Sequence, residues 1–108
     1  MFNKIKQLVN KWLYKDTLYE YRFVFYAPKY CSHRVFKYFV NLYHEGGGLY
    51  FKELTPQTES FDSFEIIVIC TINHASQFIS EIQEQVRYLR KVCWVYYYSS
   101  VYTLKRRL

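Results

Sequence analysis

Glycine, proline and methionine are scarce in this 108-residue chain: three glycines, two prolines and one methionine. So little glycine and proline excludes a collagen-like or low-complexity linker chain, and every turn must be made by a few identifiable segments. No stretch approaches the run of about 18 apolar residues that a membrane-crossing helix needs. Cys31, Cys70 and Cys93 are far apart and odd in number, with no CxxC pair. They read as small hydrophobes in a reducing compartment, without a disulfide or metal role. Gly46-Gly47-Gly48 lacks the Lys-Ser/Thr of a phosphate loop and the spacing of a dinucleotide fingerprint, so it reads as a turn. His33, His44 and His74 have no carboxylate or nucleophile at local spacing, and each falls near an element end. No enzymatic activity and no cofactor is expected.

Acid is absent from both ends. Residues 1–15 carry Lys4, Lys6, Lys11 and Lys15; residues 86–108 carry Arg87, Arg90, Lys91, Lys105, Arg106 and Arg107. All nine Asp and Glu lie between them, so the net +6 conceals two basic arms around a mildly acidic body. Arms of this kind are drawn to a phosphate backbone or an anionic membrane, because each Lys or Arg displaces condensed counterions.

What is abundant is aromatic: 13 tyrosines and nine phenylalanines. An AT-rich coding sequence accounts for part of that bias; their positions account for more. Tyr19 to Tyr26 is a run of aromatic and β-branched residues closed by Pro28, a strand. Val35, Phe36, Phe39, Val40 and Tyr43 then share a helical stripe, which the three glycines are expected to cap. Leu49–Leu54 is a second strand, residues 55–60 a polar loop, and Phe64–Ile72 a third strand whose Ile66-Ile67-Val68-Ile69 reads as buried on both faces. Ala75, Ile79, Ile82, Val86 and Leu89 mark a second helix, followed by a basic hinge and a strand from Val92 to Tyr98.

The order β-α-β-β-α-β with right-handed crossovers predicts an α+β, ferredoxin-like domain over 18–104: a four-stranded antiparallel sheet with two helices on one face. Residues 1–17 form a basic amphipathic N-terminal extension, expected to be helical because Phe2, Ile5, Val9 and Trp12 share a stripe, and 105–108 form a basic tail. The extension has the composition of a mitochondrial targeting helix and equally of an interfacial one. Helices cover one sheet face; the other should display Val24, Tyr26, Ile67, Ile69, Trp94 and Tyr96 as an apolar patch for a protein partner or for bases.

Tyr19-Glu20 before a hydrophobic strand, Gly47-Gly48 at the entry to the second strand, and Ile79-x-x-Ile82-x-x-x-Val86-Arg87-Tyr88 running into Val92-Cys93 resemble one family. From Leu18 to about Thr103 the chain is similar to the sixth protein of the bacterial-type small ribosomal subunit, in a divergent organellar form. It departs from that family where Lys52–Asp62 replaces a Gly-x-Arg-x-Leu-x-Tyr segment. Arg90 or Lys91 stands where an acid is usual, and Trp94 where an arginine is usual. The resemblance implies a non-catalytic constituent of a mitochondrial ribosome in the matrix, which binds small-subunit rRNA beside the eighteenth small-subunit protein and other ribosomal proteins. By matching positions it implies Arg87, Arg90 and Lys91 as rRNA-facing residues. Lys4, Lys11, Lys105, Arg106 and Arg107 are added by charge alone, and Tyr26, Ile67, Ile69, Trp94 and Tyr96 are the expected protein-partner face.

Two other classes fit the same residues. A free RNA-recognition-type module would carry Lys/Arg-Gly-Phe-Gly/Ala-Phe-Val-x-Phe on its third strand, where this chain has Ser63-Phe64-Glu65-Ile66-Ile67-Val68-Ile69-Cys70. A structural accessory subunit of a mitochondrial membrane complex would use the basic arm on lipid.

Overall fold

The computed structural model describes residues 17–107, with side chains to Tyr102; the expected N-terminal helix lies outside them. The elements are β1 (Thr17–Pro28), α1 (Ser32–Tyr43), β2 (Leu49–Pro56), β3 (Phe61–Cys70), α2 (Ile72–Leu89) and β4 (Tyr96–Arg107). They form an α+β fold whose single antiparallel sheet has the order β2-β3-β1-β4. Both helices cover one face, an arrangement consistent with the ferredoxin-like expectation.

Alternation along β1 decides the layering. Tyr21, Phe23 and Phe25 are buried beneath the helices while Arg22, Val24 and Tyr26 point to the open face. Phe25 lies at the centre, its ring 4.8 Å from Phe39 of α1, 5.0 Å from Phe64 of β3 and 5.4 Å from Tyr97 of β4. From α2, Ala75, Ile82, Val86 and Leu89 close the same core, as the helical stripe predicts. Ile66, Ile67 and Val68 are all buried, because β3 is a central strand with helices on one face and cross-strand neighbours on the other.

Several boundaries differ from the sequence reading, each for a local reason. The residue that ends α1 in left-handed backbone is His44 (φ 52°), whose N–H donates to Val40 O at 3.0 Å; the glycines come later, in the turn into β2. At Gly48 glycine is obligatory. At its φ of 90° a Cβ would lie 2.6 Å from Ile69 O while Gly48 O accepts from Ile69 N at 2.7 Å. Gly48→Ala is therefore expected to cost about 2–3 kcal/mol, read as a lower denaturation midpoint at unchanged slope; an unchanged midpoint would contradict the close approach.

β3 begins at Phe61, earlier than expected, because the Thr58 hydroxyl accepts from the backbone N–H groups of Ser60 and Phe61 and tightens the hairpin. Residues 90–95 are not strand. Turn bonds from Lys91 N to Tyr88 O and from Cys93 N to Leu89 O hold them, and Arg90 Nε donates to Val95 O at 2.9 Å. A Cys31–Cys93 disulfide fastens that turn to the start of α1, which overturns the expectation of three independent thiols; only Cys70 is free. Sequence spacing offers no sign of it, since 62 residues separate the pair. β4 in turn runs through Lys105, Arg106 and Arg107 as strand rather than tail, Arg107 pairing with Thr17.

The start of α1 has no side-chain cap of its own. Instead the buried Ser32 hydroxyl donates to Asp62 Oδ2 at 2.6 Å, and Lys29 Nζ lies 3.3 Å from Asp62 Oδ1. The Ser32 hydrogen bond foremost, then Lys29 and the nearby His33, hold the Asp62 carboxyl below its usual range against the opposing effect of burial. A carboxyl with a depressed folded pKa stabilises above its unfolded value, and that contribution fades as pH falls through the folded pKa. Acid unfolding of Ser32→Ala should therefore begin at higher pH than in the parent, with a loss near neutrality of about 1–2 kcal/mol. Coincident acid transitions would show that Ser32 does not set the Asp62 ionisation.

Candidate nucleic-acid interface

Arg87 falls in the last turn of α2, where a cation faces the negative end of the helix dipole. It and Arg90 line a notch of about 650 Å³ against the outer strand β4, together with Gln83, Val86, Tyr97, Tyr98 and Ser99. Among the described residues no carboxylate lines the notch. Lys91 points elsewhere, its ammonium 6.0 Å from the Tyr88 ring centre, and Tyr88 in turn stacks on Tyr38 of α1 at 6.5 Å. The structure therefore divides the hinge cations: Arg87 is open, Lys91 rides on an aromatic face, and Arg90 also secures the backbone leading into β4.

Lys105, Arg106 and Arg107 lie at the other end of β4. Arg107 lies eight residue steps beyond Ser99 along the strand, about 25 Å at the strand rise. The sequence-predicted cations do not form one patch; they mark the two ends of an edge strand. Lys4 and Lys11 fall outside the described residues.

At the arginine end lies a group of aromatics on the open face. Tyr26 and Tyr96 stack at 5.0 Å, and Tyr98 stands edge-on to both, at 5.9 and 6.0 Å. Phe61 closes the group from β3, 5.9 Å from Tyr96. Further along β4, Tyr102 lies under the Arg22 guanidinium at 5.4 Å. Tyr98 is 65% and Tyr102 52% exposed.

Of the expected partner face, Tyr26, Ile67, Ile69 and Tyr96 are on the open side of the sheet, in register across β1, β3 and β4. Trp94 is not. It precedes β4 in the disulfide-tied turn and is exposed there. The face is also less apolar than expected, since Ile67 is nearly covered and ion pairs lie on it: Arg22 Nε to Glu20 Oε2 at 2.8 Å along β1, Lys52 Nζ to Glu65 Oε2 at 3.2 Å from β2 to β3. What remains is an aromatic group at one end. The sequence analysis missed Tyr98 and Tyr102 as site residues, although Tyr96-x-Tyr98 shows the strand period, because Tyr102 joins the row only if β4 continues.

A second cleft, about 520 Å³, opens between the ends of α1 and β3 and the first turns of α2, lined among others by Tyr43, Cys70, Thr71, His74 and Glu81. Burial raises the Cys70 thiol pKa, the wrong direction for a nucleophile. His74 Nδ1 is engaged with the Thr71 hydroxyl at 2.9 Å. Burial, aided by Glu81, pushes the Tyr43 phenol up to about 12. Among the described residues no group of three or more His, Cys, Asp or Glu could hold a metal, and no helix is long and apolar enough to cross a membrane.

In comparisons with known proteins, no family model, curated protein or solved structure matches this chain.

Proposed function

We propose that this protein is a structural, RNA-binding constituent of a ribonucleoprotein, specifically of the small subunit of a mitochondrial ribosome. The observation that carries the RNA-binding part is the β4 edge, a strand flanked at its start by Arg87 and Arg90 from the end of α2, closing in the basic run Lys105–Arg107, with Tyr98 and Tyr102 exposed along it. Phosphate contacts and aromatic platforms are the two means by which proteins hold RNA, and here both kinds of group lie along one edge of the fold. The ribosomal assignment comes from the residues Tyr19-Glu20, Gly47-Gly48 and Ile79 to Tyr88 that resemble the sixth small-subunit protein. On this reading Arg87, Lys91 and Lys105–Arg107 face small-subunit rRNA, while Tyr26, Ile69 and Tyr96 meet the eighteenth small-subunit protein or another ribosomal neighbour.

The disulfide favours a second reading. A bond between Cys31 and Cys93 persists in oxidising compartments and is uncommon where glutathione keeps thiols reduced. An accessory subunit of a mitochondrial membrane complex, exposed to the intermembrane space, would keep it. Fractionation of the endogenous protein separates the two. Co-sedimentation with small ribosomal subunits, lost after ribonuclease treatment, is the expected result; recovery with detergent-extracted respiratory membranes, indifferent to ribonuclease, would overturn it.

A further inference from the structure

We propose that the notch between α2 and β4 seats one backbone phosphate of single-stranded RNA, with the adjoining base stacked on Tyr98. This rests on the RNA-binding reading and adds to it the form of RNA and the residue that reads it.

Arg90 supplies a fixed donor. Its Nε is held by Val95 O at 2.9 Å, which orients the guanidinium at the notch wall, and its terminal nitrogens make no bond to the described residues. Arg87, three residues earlier at the same end of α2, lines the same notch with no ion pair among the described residues. Two guanidinium-bearing residues on one lining that holds no carboxylate among the described residues suit a phosphate, whose oxygens accept bidentate N–H pairs. Ser99 and Gln83 add neutral donors on the same lining.

Tyr98 completes the site, because it lines the notch and also belongs to the open face. Its ring meets Tyr26 at 78° and Tyr96 at 85°, so both neighbours touch it edge to face and hold it upright. A ring propped by its edges and 65% exposed keeps a flat side for a base. Among the described residues no strand lies beyond β4, so a nucleotide can approach from the edge. In a duplex the base faces are stacked on one another, and only a single strand can present one to Tyr98. Four residues on, about 13 Å along the strand, Tyr102 with Arg22 against it repeats the pairing of ring and guanidinium.

The test is fluorescence anisotropy of the full chain with a labelled oligouridylate of about ten nucleotides, beside a duplex RNA of equal length. The oligouridylate should bind tighter than the duplex. Tyr98→Ala should weaken it about 10-fold or more while Tyr98→Phe stays within about 2-fold. Tyr98→Ile, which keeps a strand-forming residue without a ring, should match Tyr98→Ala, so that a folding defect cannot imitate the result. Arg87→Gln should lower affinity and reduce the salt slope by about 0.7. Equal binding of duplex, or Tyr98→Ala at parental affinity, overturns the stacking site. If that variant still sediments with ribosomal subunits, only this inference falls; if the parent binds neither RNA and sediments with membranes, the RNA reading falls with it.

Discussion

Arg87→Glu with Lys91→Glu is expected to abolish RNA binding in a filter assay and to leave the circular dichroism spectrum unchanged. Each hydrogen bond to a charged group is worth about 1.5–3 kcal/mol, so two lost phosphate contacts correspond to about 10²–10⁴ in affinity before any repulsion is counted. Both side chains are exposed, and neither makes an ion pair among the described residues. Arg90 is left out deliberately. Although its charge is part of the same cluster, its Nε also holds Val95 O, and glutamate there would release the turn that feeds β4. The fold pays only a few tenths of a kcal/mol for an acid near the end of α2. Arg34→Glu with Lys37→Glu, on the exposed side of α1, removes the same charge elsewhere and should weaken binding only modestly. Equal losses from the two pairs would mean that net charge, not this site, attracts RNA.

How much of this was legible beforehand follows from where the signal is local. Period two in Tyr21, Phe23 and Phe25, and the helical stripes of Val35 to Tyr43 and Ala75 to Leu89, arise from one element burying one face, and the element order follows from them. β4 was misplaced because its determinants are not local. Val92-Cys93-Trp94 reads as strand, yet the disulfide and the Arg90 bond hold it in a turn. Ser99-Ser100 and Lys105-Arg106-Arg107 carry no apolar alternation, yet they are strand because β1 offers a ladder partner from Thr17 to Tyr26. The site inherits the same limit. Arg87 and Tyr96 stand out by charge and aromaticity, whereas Tyr102 matters only once register places it beside Arg22, and Trp94 loses its place on the sheet because β4 begins at Tyr96, four residues later than expected.

Opening the Cys31–Cys93 bond, which lies in the buried core, is expected to have a large effect on stability. The closed loop spans 62 residues, for which the chain-entropy account gives about 4 kcal/mol. Both sulfurs are buried, so the reduced thiols recover little by hydration. For a domain of this size that loss lowers the thermal midpoint by about 15–30 °C. The damage should concentrate where the bond acts, at the junction of the α1 start with the turn before β4, so amide exchange should rise in residues 90–98 more than in β3. Cys70→Ser, which leaves the bond intact, should shift the midpoint by little. Alkylation of the denatured, unreduced recombinant protein should find one reactive thiol, Cys70; three, with no change on reduction, would refute the crosslink. The same measurement on endogenous protein bears on function. A ribosomal constituent in the matrix faces a reducing pool and would show three reactive thiols, relying on rRNA and its neighbours to hold β4 in place. One reactive thiol would put the protein in an oxidising compartment and turn the assignment toward the membrane complex.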